Sequence, residues 1–208
     1  MTELSSKQTQ LDTLAAQIEQ DNITPQLRES AIQLVMGGGN PDADIVLIGE
    51  APGKQEDERG LPFVGASGKF LDEMFASAGL EREDIYITNI VKYRPPNNRD
   101  PLPEEKTLFW PYLQRQLKII DPKVIITLGR HSGSIFIPSM RISEDHGRVF
   151  RVNLDTDEYT LIPLYHPAAA LYNGSMRQVL IDDFIAAATL VKTLYWAVEG
   201  PAGLQNHA

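Results

Sequence analysis

No cysteine occurs among the 208 residues. That absence excludes disulfides, thiolate zinc sites and cysteine-bound iron–sulfur clusters. Basic charge is also short: 19 lysines and arginines stand against 28 aspartates and glutamates, a net charge of −9. Such a balance argues against a general nucleic-acid binder. The shortage is uneven, because Lys92, Arg94 and Arg99 share a span with no acidic residue, and a local patch of that kind can hold phosphate. No apolar run reaches the roughly 20 residues needed to cross a membrane. Residues 1–20 lack the basic-then-apolar order of a secretory signal. A cytoplasmic location without membrane contact is therefore expected. The phosphate fingerprint Gly-x-Gly-x-x-Gly is missing after the first strand, where Gly49-Glu50-Ala51-Pro52-Gly53 stands instead.

What is present suits a folded protein: 42% hydrophobic and 23% charged residues. One domain over 1–208 is expected, with an N-terminal helix and connector (1–30), a core (33–197) and a flexible tail (199–208). Leu4, Leu11, Leu14 and Ile18 fall at helical spacing over residues 5–20. A connector with Pro25 and a turn at Gly37–Pro41 lead to an apolar strand at 45–49. A Gly/Pro-rich loop follows to Gly68. A helix then runs from Ser67 or Gly68 to a glycine cap at Gly79. Strands are expected at 85–90 and 124–128. The helix between them, 104–120, has Leu108, Phe109, Tyr112, Leu113, Leu117 and Ile120 on one face, and Pro111 should kink or restart it. After a short helix from His131, a hairpin spans 146–163 and its second arm runs on to His166. The last helix occupies about 176–197. Alternating strands and helices predict a parallel sheet covered on both faces. With four strands in it, ligands should bind beyond their carboxyl ends.

The chemistry-bearing residues sit at those ends. Glu50 follows the first strand, Asn89 ends the second, Gly129-Arg130-His131 follow the third, and His166 follows the fourth. Phe63 is the lone aromatic of the Gly/Pro-rich loop. A planar heterocycle could stack on Phe63 while Asn89 offers its edge a donor and an acceptor. His166 could donate to a carbonyl gaining negative charge. Glu50 could orient water or stabilise a cationic sugar. Backbone N–H groups of Gly53, Gly65, Ser67 and Gly68 suit a nearby phosphate, as do Arg94, Arg99, Arg130 and Arg177 on rim loops. Plainer readings stand beside these. Asn89 could cap a strand end, Phe63 could plug the loop onto the core, and the four arginines could be solubilising charges. His131 and His146 read as surface or structural, and Glu56-Asp57-Glu58 as a solvated acidic run.

Three segments carry a family resemblance: Gly49-Glu50-Ala51-Pro52-Gly53 with Pro62-Phe63-Val64-Gly65, then Thr88-Asn89-Ile90-Val91-Lys92, then His166-Pro167-Ala168-Ala169. From about Gln33 to Val191 the chain resembles the family 4 branch of the uracil-DNA glycosylase superfamily. The resemblance implies a three-layer α/β/α sandwich around the four-stranded parallel sheet. It implies hydrolysis of the glycosidic bond of a flipped deoxyuridine in DNA, with free uracil as product and the protein a monomer. Phe63 would stack on the base with Ala51 beside it, Asn89 would read its edge, His166 would stabilise the departing base, and Glu50 would serve the hydrolytic step. The segment Ala169 to Arg177 resembles the family's DNA-wedging loop. The family's four cluster cysteines correspond to Asn22, Pro25, Tyr93 and Phe109, so no cofactor and no metal is expected. Pro25, Tyr93 and Phe109 are expected to form an apolar cluster that does the same tethering. Two alternatives stay open: a uracil-DNA binding protein that traps its product covalently, and a nucleotide-binding module without glycosylase activity. Against the first, Tyr93–Pro103 contains no histidine and no insertion; against the second stands the missing phosphate fingerprint.

Overall fold

The computed structural model describes residues 6–193. Helix α1 (Lys7–Asp21) is capped by Ser6, whose hydroxyl accepts the Thr9 N–H at 3.2 Å. It ends at Asn22 in the left-handed region (φ 46°). Next come α2 (Pro25–Ser30), β1 (Gly38–Gly39), β2 (Ile45–Gly49), α3 (Lys54–Arg59), α4 (Ala66–Ala78), β3 (Tyr86–Asn89) and α5 (Pro103–Ile120). The chain continues through β4 (Val124–Leu128), α6 (Arg130–Ser134), α7 (Ile142–Asp145), β5 (Phe150–Leu154), β6 (Asp157–Leu164), α8 (Ala168–Tyr172) and α9 (Met176–Val191).

The strands form one sheet in the order β1-β3-β2-β4-β6-β5. Its centre, β3-β2-β4-β6, is parallel, as the alternation of strands and helices predicts. The sheet is wider than the four strands expected, because β1 and β5 add antiparallel edges. The expected Gly37–Pro41 turn contains β1, a strand too short to carry an alternating pattern. The side-chain alternation of β2 sorts its residues into two cores. Ile45 and Leu47 join Phe70, Leu71, Met74 and Phe184 on the α4/α9 face. Val46 and Ile48 join Leu11, Ile18, Phe109 and Leu113 on the α1/α5 face. The result is the three-layer arrangement.

Register aligns the carboxyl ends on one rim. Gly49 pairs with Asn89, and Leu128 with Leu164 two residues before His166. Several local expectations change. α5 runs through Pro111 without restarting. Pro111 and Thr107, whose carbonyl loses its N–H partner, are both exposed, so water can serve that carbonyl. Leu108 is also exposed, and its expected place on the buried face of α5 is taken by Glu105 and Gln116. The Gly/Pro-rich loop contains a helix, α3. The hairpin is confined to β5 and β6, turning at Asp155 (φ 57°). Leu4, residues 194–197 of the last helix and the expected tail lie outside the described residues.

Candidate active site

A cavity of about 330 Å³ opens on the rim, lined among others by Ala51, Phe63, Ser67, Asn89 and His166. Residues far apart in sequence are thus brought together by the parallel register. Phe63 is only 6% exposed, and its ring lies 5.6 Å from that of His166 at 32°. Its backbone is left-handed (φ 51°), a costly state for a bulky residue. The surroundings enforce it. Arg82 donates to the Pro62 and Phe63 carbonyls at 2.8 and 2.7 Å. A Cβ at Gly68 would stand 1.8 Å from the Phe63 carbonyl oxygen, and one at Gly49 would stand 2.8 Å from its ring. Gly68 is buried in this contact, where it packs the loop.

Asn89 is 2% exposed and lines the cavity. No described residue bonds its side-chain amide, which is left open to the cavity. The strand end behind it is held firmly. Lys92 is fully buried (0% exposed), and its Nζ donates to Thr88 Oγ1 (2.6 Å), the Asn89 carbonyl (2.7 Å) and Gln116 Oε1 (2.6 Å). Burial pulls its pKa well below the usual lysine range. The basic patch expected from Lys92 therefore loses that member: it is a buried tie between β3 and α5.

His166 accepts the Ala168 N–H on Nδ1 at 3.1 Å. A ring nitrogen that accepts carries no proton, so the proton is on Nε2, leaving that atom as a donor. Burial drives the pKa down to about 4, against a smaller upward pull from Glu56 and a further downward push from His131. The imidazole is neutral at physiological pH.

The carboxylates divide differently from the sequence reading. Glu56 and Asp57 are not a solvated run. Glu56 Oε1 accepts the Val64 and Gly65 N–H groups at 2.9 and 2.7 Å, closing the loop that carries Phe63. This takes the Gly65 N–H that was expected to meet phosphate. A Cβ at Gly53 would stand 2.7 Å from Glu56 Oε2, so a carboxylate also faces Gly53. Asp57 is 1% exposed and accepts the Ile32 and Gln33 N–H groups at 2.8 and 3.3 Å, anchoring α3. Ser67, in the open first turn of α4, keeps the geometry for an anion. Glu50 lies beside the cavity and is not among its lining residues. Its Oε1 is 3.2 Å from Lys106 Nζ and 3.4 Å from His131 Nδ1. Burial raises its pKa, while His131 and Lys106 draw it back. Glu50, Asp100 and His131 bring ligand atoms within 4.8 Å of one another. The Lys106 ammonium, 3.2 Å from Glu50 and 3.3 Å from His131, already supplies positive charge there, so the group is an ion-pair network.

The rim arginines have intramolecular partners. Arg99 forks onto Glu105 at 2.9 and 2.7 Å. Arg94 donates to Asn98 Oδ1 at 2.7 Å and lies 3.9 Å from Asp57. Arg177 pairs with Glu73 and lies over the Phe70 ring. Arg130 is exposed and donates to His131 Nε2 at 3.2 Å. The expected wedging segment holds α8, which sets Leu171 and Tyr172 (91% exposed) at the cavity mouth.

The four positions that the resemblance matches to cluster cysteines do not fit a metal cluster. Asn22 caps α1, and Pro25 opens α2 in solvent. Tyr93 and Phe109 are buried, with ring centroids 6.2 Å apart in an edge contact. The expected apolar cluster therefore holds Tyr93 and Phe109 but not Pro25; Leu27, two residues further into α2, is the buried residue there.

A model of the uracil DNA glycosylase superfamily matches residues 36–189. The Type-4 uracil-DNA glycosylase of Sulfurisphaera tokodaii is 49% identical over 156 residues, 72% of this chain and 71% of that one. The Type-4 uracil-DNA glycosylase of Archaeoglobus fulgidus is 47% identical over 163 residues, 76% of this chain and 82% of that one. The Type-5 uracil-DNA glycosylase of Thermus thermophilus is 35% identical over 111 residues, 46% of this chain and 50% of that one.

Proposed function

The chain belongs to the uracil DNA glycosylase superfamily, and on that premise we propose that it hydrolyses the N-glycosidic bond of deoxyuridine flipped out of DNA. The products are free uracil and an abasic site. One observation carries the reading: Asn89 lines the cavity wall with its side-chain amide bonded by no described residue, beside a ring suited to stacking. An amide left open to the cavity on both its donor and its acceptor side suits a ligand edge with the complementary pair, as uracil has.

The geometry supports the following roles. Phe63 stacks on the base, and Asn89 bonds its edge. The C1′–N1 bond breaks with its electron pair leaving on the base. His166 donates from Nε2 to the uracil carbonyl where that charge collects, as a neutral imidazole whose one ring proton sits on that nitrogen. Water forms the new C1′–O bond, Glu50 orients it, and the proton it loses ends on the base. Ser67 and the exposed Arg130 meet the DNA backbone. The chain acts as a cytoplasmic monomer of one domain and needs no iron.

A uracil-containing oligonucleotide tests this in the presence of chelator. Free uracil and an alkali-labile abasic site are the expected products. A stable protein–DNA adduct would point to covalent trapping instead, and unchanged DNA to a module that binds without turnover.

A further inference from the structure

The Glu50 carboxylate is gripped on one oxygen only. Lys106 donates to Oε1 at 3.2 Å, and His131 Nδ1 lies 3.4 Å from that same atom. No described residue donates to Oε2. The Arg130 Nε–H donates to His131 Nε2 at 3.2 Å. Lys106 Nζ lies 3.3 Å from His131 Nδ1, so each ring nitrogen faces one cationic donor as well as one carboxylate. Asp100 Oδ2 closes the network 3.4 Å from His131 Nε2. The pair is sheltered: the Lys106 and Glu50 side chains are 17% and 18% exposed. Ala51, the next residue in the chain, lines the base cavity.

We propose that Lys106, together with His131, is a positioning residue for Glu50, holding Oε1 so that Oε2 addresses the water that attacks the sugar. This rests on Glu50 serving the hydrolytic step. The Lys106 donor and the His131 ring, both set against one oxygen, fix the plane of the carboxylate and leave the second oxygen's lone pairs to water. They also decide its charge. The groups that face Glu50 are Lys106 on α5, His131 on α6 and Asp100 on the loop before α5. Burial and Asp100 favour the protonated acid, whereas His131 and Lys106 favour the carboxylate. Removing the ammonium leaves burial and Asp100 opposed by the imidazole alone. The carboxylate then protonates at a higher pH, and a protonated Glu50 loses the charge with which it orients the water.

The readout is the pH profile of single-turnover uracil excision. Lys106→Met should move the acid limb to higher pH, so that the variant is roughly tenfold slower than wild type at pH 5.5 and closer to it at pH 8, a gap equal to about one unit of titration. Lys106→Arg, which keeps a cation and a donor, should bring the limb back toward wild type. A loss of equal size at every pH, or an unmoved profile, overturns the proposal. Should Lys106→Met fail to fold, His131→Gln removes the other charge-stabilising contact and is read the same way. Glu50→Gln separates the two levels. If that variant excises at the wild-type rate, the role of Glu50 itself is wrong. If it is slow and the Lys106→Met profile is unmoved, only the positioning role fails.

Discussion

Neutral His166 and unpartnered Asn89 are the two residues whose titration and bonding can be tested one at a time. The histidine's pKa is held near 4 in the fold against 6.5 in an unfolded chain. Between those values the unfolded state binds more protons, so stability falls as pH drops from 6.5 towards 4 and is unaffected by this group above 6.5. Wild type should lose on the order of 2 kcal/mol more than His166→Gln across that window, read by urea unfolding. Equal losses would mean that the imidazole titrates normally. Asn89→Asp replaces the amide's donor with a second acceptor and should slow uracil excision by about 100-fold or more, the cost of a buried unpaired group. Unchanged excision would remove Asn89 from base reading. Phe63, Asn89 and His166 were legible in the sequence because each is an unusual residue at a strand end or in a Gly/Pro-rich loop. Glu56 was not, since its N–H partners are donated by Val64 and Gly65, eight and nine residues on, and a charge run alone does not reveal them. Lys92 was misread for a statistical reason: lysine is almost never buried without several acceptors.

Helix α5 carries Phe109, Lys106, Gln116 and Glu105, and so ties the cavity wall, the ion-pair network and the loop after β3 to one rigid element. Phe109→Ala should cost about 3–5 kcal/mol by opening a void against Tyr93. A melting curve reads the loss, and amide exchange should show the Tyr93–Pro103 segment loosened while Asn89 and His166 stay protected. A variant as stable as wild type would show that the two rings do not tether this region. At this scale the sequence pattern conveyed the parallel core strands and the long helices, because burial on both faces of a strand and helical spacing both leave a periodic trace. It did not convey β1, where two glycines have no pattern to show, or α3, where Asp57 turns inward among polar neighbours. Nor did it convey the continuity of α5, because the consequence of Pro111 depends on which face of the helix meets water.

As a whole the molecule carries a net charge of −9 and must still bring a polyanion to its rim. Binding to uracil-containing DNA should weaken as salt rises, with a log–log slope of about −0.9 per phosphate neutralised. Since Arg94, Arg99 and Arg177 already have partners, that slope should be shallow, and Arg130→Ala should reduce it further by about one contact. An affinity that does not change with salt would remove phosphate contacts from the account. The family resemblance supplied the layered architecture and the lack of cysteine was plain, but the pairing of the arginines was not, because ion-pair partners are set by the folded surface. The sheet order carries a last implication, for assembly. β2 meets β4 only by closing a loop of roughly 80 residues, whereas β5 and β6 meet across a tight turn. The hairpin is cheap and early in entropic terms, and the central pairing is dear and late. Glu50 and Asn89 flank one side of that late pairing, and His166 waits on the other. The reaction centre is therefore complete only once the long-range pairing of β2 with β4 is made.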